Sequence, residues 1–348
     1  MIRRLAITCV LALLAAAGAV AAQPYHAPRT PYGAPDLEGN WTNLSLTNFE
    51  RPKRFKALIA TDAETAAEIA RFHDRVNGIK PKPKPKSPDD KSPPAEDSDP
   101  IGQATSEFPD THVDLLKIRG QHRSSILVEP ADGQIPYTAA GQALAKAAED
   151  RDDHDFSGPE ARAPDERCID GTSSSTGPPM IGEPQNANYE IVQTPREIAI
   201  LSEMIHDVRI VHMGAKHPAI PTHPHMGDSI GWWEGETLVI ETVDQNAISA
   251  PRFVGPHVLW VSPQAKVVER LTRISPSEIL YGFTIEDPAV YSHILRGEMV
   301  LRATKVQQYE YACHEGNYAL ENILAGARAT ERAAAMKGAA PKAAAASR

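Results

Sequence analysis

Residues 266–287 read KVVERLTRISPSEILYGFTIED, two alternating runs on either side of a Ser-Pro-Ser turn. Successive side chains of a strand point to opposite faces. In the first run Val267, Glu269, Leu271 and Arg273 therefore oppose Val268, Arg270, Thr272 and Ile274. In the second, Tyr281, Phe283 and Ile285 oppose Thr284 and Glu286. Each face carries both apolar and polar groups, whereas a flat sheet packed on one side would alternate more cleanly. The mixture points to a strongly curved sheet or a barrel that closes its own edges around a partly polar interior.

The same texture runs outward in both directions. From about residue 124 the chain offers SSILVEP, NYEIVQT, EIAILSE, HDVRIVHM and GETLVIETV before this hairpin, and EMVLRATK after it. Turn residues separate these runs, and no helix-length crossover of the kind parallel pairing uses lies between them, so the sheet is expected to be antiparallel. Near the middle, His206, Val208 and Ile210 share one side and Asp207, Arg209 and Val211 the other, which places His206 among apolar neighbours. Helices are expected over 62–77, with an acidic first turn, and over 136–150; a third, GNYALENILAGARATERAAAMK, closes the fold. The expected class is mainly β with flanking helices: an antiparallel, lipocalin-like β-barrel or curved sheet with a C-terminal helix.

The remaining segments set the organisation. Residues 1–22, MIRRLAITCVLALLAAAGAVAA, have two arginines before a short apolar run that ends in small residues, the layout of a secretory signal cleaved near Ala22. That implies a periplasmic or secreted protein. Residues 23–79 form an extended N-terminal segment and helix, 80–110 a Pro/Lys-rich loop expected to be disordered, 111–337 the barrel domain and 338–348 a frayed tail. No later stretch reaches the roughly 20 apolar residues of a spanning helix. With 36 Lys plus Arg against 45 Asp plus Glu, the net charge of −9 gives no general field for nucleic acid. Of three cysteines, Cys9 leaves with the signal; the remaining Cys168 and Cys313 are an even pair in an oxidising compartment, which favours a disulfide.

The stretches YEIVQTPREIAILSEMIHDVRIV, MGDSIGWWEGETLVIET, VVERLTRISPSEILYGFTIEDP and YEYACHEGNYALENILAGAR occur in this order across 132–328. On them the chain resembles a large family of uncharacterised secreted proteins of soil and aquatic bacteria. The early GNW step at 39–41, with the strands that follow, also resembles the start of lipocalin-type barrels.

Candidate chemistry gathers in three places. In LSEMIHDVRIV, His206 offers an imidazole that could act as acid or base, with Arg209 or Arg270 stabilising an anion and Glu203 or His314 orienting the imidazole. An ideal strand points His206 and Arg209 apart, so a bulge or strand end would be needed to join them. In HMGAKHPAIPTHPHMGD, His223 and His225 are spaced like a metal-binding pair, with His206, His212, His217 or Asp228 as a third ligand; the alternative is a loop at a pocket mouth that contributes His225 alone. In YEYACHEGNYALENIL, a helix starting near Glu315 would put Tyr318, Glu321 and Asn322 on one face.

Tyr189, Trp232, Tyr281, His225 and Tyr318 are the expected walls for a flat apolar ligand, although aromatic residues also fill barrel cores. No GxSxG elbow, phosphate loop or dinucleotide fingerprint occurs. The leading expectation is a cofactor-free lyase or isomerase working by proton transfer on a small aromatic molecule in a barrel pocket. A lipocalin-like carrier without turnover is the alternative, and a His-liganded metalloenzyme the second alternative.

Overall fold

A computed structural model describes residues 25–76, 114–164, 166–169, 177–181, 187–249, 251–254 and 257–339. The expected signal segment, the segment expected to be a Pro/Lys-rich loop and most of the expected tail lie outside these residues. Fourteen strands and three α-helices follow in order: β1 (Gly39–Thr42), α1 (Asp62–Val76), β2 (Lys117–Ile118), β3 (Gln121–His122), β4 (Leu127–Glu129), α2 (Ala139–His154), β5 (Asn188–Gln193), β6 (Glu197–Ser202), β7 (Val208–Met213), β8 (Asp228–Glu234), β9 (Thr237–Val243), β10 (Pro251–Phe253), β11 (Val258–Trp260), β12 (Lys266–Ser275), β13 (Glu278–Glu286), β14 (Leu295–Ala303) and α3 (Ala319–Ala339).

Nine strands, in the order β1-β5-β6-β7-β8-β9-β12-β13-β14, close into a barrel because β14 returns to β1. The seam is short. The edge of β14 is shared, with Arg302 and Ala303 facing β1 while Arg296 and Gly297 face β4. One junction departs from the antiparallel expectation: β7 and β8 run parallel. The connection between them, residues 214–227, returns the chain along the barrel without a helix, so a long loop serves where a helical crossover was thought necessary.

Curvature explains the mixed faces. Tyr189, Ile191, Ile200, Val211, Leu238, Ile240, Val267, Leu271, Tyr281, Phe283 and Met299 are buried along the inward-facing rows, and Arg209 and Glu269 are buried with them. Side chains therefore fill the barrel, in place of the enclosed ligand space expected from the sequence. Gly297 makes room for one of them: a Cβ there would lie 2.1 Å from the Phe283 ring, so only hydrogen fits beneath it.

Both ends are stoppered. At the end with the tight β5–β6, β8–β9 and β12–β13 turns, the N-terminal segment crosses the opening: the Trp41 indole donates to the Leu37 carbonyl (3.0 Å) and Arg273 to the Asp36 carbonyl (2.9 Å). At the other end, Met180 and Ile181 are buried, and the Met180 amide donates to the Tyr281 hydroxyl at 2.8 Å.

The helices start where side chains can satisfy their first amides. A capping box begins α1, with Thr61 and Glu64 each accepting the other's backbone N–H. Thr138 takes the Gly141 amide at 3.0 Å, so α2 begins three residues after the expected 136. Asn317 takes the Ala319 amide at 3.1 Å, so α3 begins at Ala319 and not near Glu315. Tyr318 consequently precedes the helix and shares no helical face with Glu321 and Asn322. The expected disulfide is present between Cys168 and Cys313, with Cα atoms 5.7 Å apart.

Candidate functional site

The proposed catalytic residues do not converge. Met204–His206 form a 3-10 turn between β6 and β7, and both Ile205 and His206 adopt positive φ, at 59° and 63°. His206 is exposed. Its apolar companions face outward too, Val208 being 50% and Ile210 39% exposed, so the side read as interior is the outer wall. The residues inside are Arg209 and Val211. Glu203 is buried but committed elsewhere, accepting from the Asn188 amide (2.5 Å) and the Tyr309 backbone N–H (3.1 Å). Arg270 lies on the outer wall, paired with Glu234 at 2.6 Å, and His314 is exposed in the turn after Cys313.

Two of the expected ligand-wall residues, Tyr189 and Tyr281, are core residues with no exposed surface. Tyr318 is 69% exposed and stands apart from them. His225 sits on the β7–β8 connection beside Asp207 at 3.3 Å. Inside the barrel, Tyr281 and Arg209 do meet, through a residue absent from the expected site. Glu269 accepts two hydrogen bonds from Arg209, one at 2.9 Å, and one from the Tyr281 hydroxyl at 2.7 Å. Burial by itself would lower the Arg209 pKa; the charge and hydrogen bonds of Glu269 outweigh it and raise the value. Burial, followed by the Glu269 charge, holds the Tyr281 phenol well above its ordinary value against the opposing pull of Arg209. The signal for Glu269 was in the sequence, an acid in register with Val267 and Leu271.

The four loop and strand histidines each face an acid of their own: His212 faces Glu197, His217 faces Asp228 and Glu241, His223 faces Asp244, and His225 faces Asp207. Among the described residues no three His, Cys, Asp or Glu side chains come together as a metal site. No described helix is long and apolar enough to cross a membrane.

Trp232, an expected ligand-wall residue, lines a cavity. A cleft of about 640 Å³ opens at the tight-turn end of the barrel, between the N-terminal segment and the β5–β6 and β8–β9 turns. Tyr32, Trp232 and Trp233 supply its rings, Ile198 and Met213 its aliphatic surface, and Arg29 its cation. Trp233 and Met213 pack onto the barrel core, which fixes one wall. Arg29 is paired with Glu236, the neighbour of the lining residue Gly235. Burial, only partly offset by a hydrogen bond from Thr30, raises the Tyr32 pKa, as do the nearby acids Glu38 and Asp36. Tyr32 was not singled out in the sequence; it comes from the extended N-terminal segment, and only the folded chain sets it opposite the tryptophans.

No family model, curated protein or solved structure matches the chain. The assignment of function rests on the cleft and the residues around it.

Proposed function

We propose that this protein binds a small, largely apolar molecule with a flat ring, held without turnover in the cleft at the tight-turn end of the barrel. One observation carries the reading: three aromatic side chains and two aliphatic ones line a single cleft of about 640 Å³, within the usual size range for small-molecule sites. Rings there offer stacking and edge contacts worth about 0.5–1.5 kcal/mol each beyond the area they bury. The carrier reading is preferred to a lyase or isomerase because acid–base catalysis requires its groups within hydrogen-bond reach of one substrate. Glu203, His206, Arg209, Arg270 and His314 occupy a buried rim contact, an exposed turn, the barrel interior, the outer wall and a distal turn respectively.

Export fits this role, since a carrier of such molecules would meet them outside the cytoplasm; the arginine-led segment at 1–22 supports it, and so does the disulfide. The resemblance to secreted proteins of soil and aquatic bacteria points the same way. Nucleic acid is not the proposed partner.

The test is native mass spectrometry of molecules carried through purification, followed by titration of the recovered compound against intrinsic tryptophan fluorescence. Trp232→Ala is expected to weaken binding about tenfold, equivalent to about 1.4 kcal/mol, and His206→Ala to leave it unchanged. Product formed from the bound molecule, or equal affinity in the Trp232 variant, would overturn the reading.

A further inference from the structure

The β7–β8 connection, residues 214–227, joins the one pair of described strands that run parallel. Three of its residues are histidines facing acids of the barrel or its rim. His217 puts Nδ1 against Asp228 at the start of β8, and its Nε2 lies 3.4 Å from Glu241 on β9. His223 Nδ1 is 2.5 Å from Asp244, just past β9. His225 Nε2 is 3.3 Å from Asp207, just before β7. Asp244 also accepts the backbone N–H groups of Thr222 (2.6 Å) and His223 (2.9 Å), while the Asn246 amide donates to the His223 carbonyl at 3.0 Å.

All four facing groups are carboxylates, and the cation of the segment itself, Lys216, is exposed. The backbone is held in a costly shape at the contact, since His223 and Asp244 both adopt positive φ, 48° and 61°. Only an imidazolium can donate from both ring nitrogens, and only an imidazolium brings a full charge to an ionised acid. A neutral ring keeps one donor. At His217 it would satisfy one of two acids and leave the other facing a lone pair.

We propose that residues 214–227 form a strap that protonation of His217, His223 and His225 fastens to the barrel wall. Imidazole charge changes between about pH 5 and 8, whereas carboxylates stay ionised down to about pH 4. The strap is tight on the acidic side of neutrality and loosens as pH rises. This holds whether or not the cleft binds a ligand.

Hydrogen exchange read by mass spectrometry on the full chain tests it. After correction for the intrinsic pH dependence of exchange, protection of peptides covering 214–227 is expected to be about fivefold greater at pH 5.5 than at pH 8, the ratio that corresponds to the upper end of one exposed ion pair's worth. Peptides from β12 and β13 are expected not to change. The triple variant His217→Gln, His223→Gln, His225→Gln is expected to lose the difference. Should that variant fail to fold, Asp244→Asn is expected to reduce the difference by itself. Equal corrected protection at both pH values in the wild type overturns the proposal. So does a pH difference that survives in the folded triple variant, or one unaltered by Asp244→Asn where the triple variant does not fold.

Discussion

Glu269 and Arg270 are consecutive residues of β12 and each holds an ion pair, yet they occupy opposite environments. Glu269 points inward to Arg209, with exposures of 0% and 2%; Arg270 points outward to Glu234, with exposures of 49% and 47%. Outside, water competes for both charges and screens their attraction. Inside, neither charge can be left alone, and the Tyr281 hydroxyl and the Met180 amide extend the inner pair into a chain of hydrogen bonds that reaches the plug at one end of the barrel. The lesson is that a pair's importance is set by what its loss would strand, more than by its attraction.

The sharpest way to break the comparison is Arg209→Met, which leaves Glu269 buried and unpaired. It is expected to cost about 3–5 kcal/mol in urea unfolding, and adding Glu269→Leu is expected to recover part of that loss. A destabilisation no greater than that of Arg270→Ala would remove the distinction. Glycines on neighbouring strands carry the same contrast. Gly297→Ala drives a methyl into the Phe283 ring and is expected to cost about 1–3 kcal/mol, while Gly282→Ala, with its nearest neighbour at 3.8 Å, should stay within about 0.5 kcal/mol.

The buried phenols give a third test through alkali. Tyr281 and Tyr291 have folded pKa values well above the ordinary phenol, mainly through burial, so the folded chain keeps protons that the unfolded chain releases above about pH 10. Stability therefore falls as pH rises past 10, by up to about 1.4 kcal/mol per unit for each such group. Tyr281→Phe should make that slope shallower, and an unchanged slope would show that its phenol ionises in place. The smallest effect is expected of Arg270→Ala. Its urea midpoint should stay put, while NMR titration should find the Glu234 carboxyl, held low first by Arg270 and next by Trp232, moving up toward the usual range.

Much of the barrel was legible because an alternating run needs only its own residues to be recognised. The runs that became β5, β6, β7, β9, β12, β13 and β14 were all read, and Glu269 was placed on the correct face. What failed required partners distant in sequence. β8 was missed because Gly231 replaces an inward side chain and two adjacent tryptophans hide the period; a Cβ at Gly231 would come within 2.7 Å of Val211. Arg209 was read as an anion stabiliser on the face opposite His206, and nothing local shows that its partner Glu269 waits 60 residues ahead. His206 was misjudged for the same reason, since with a charged pair filling the interior, Val208 and Ile210 are left to face water. The cleft was half legible: Trp232 was singled out, but Tyr32 reaches it only through the route of the N-terminal segment.

The shared edge of β14 fixes the order in which the molecule can be assembled. Its two partners, β1 and β4, are made early in synthesis, while β14 itself is among the last strands to appear, so ring closure joins segments more than 250 positions apart at β1. Contacts of such separation form late, after most of the loop entropy has been spent. Until then the nascent sheet presents two raw borders that invite pairing with other chains. A chain interrupted before residue 295 would keep both borders for good, and aggregation is its expected fate.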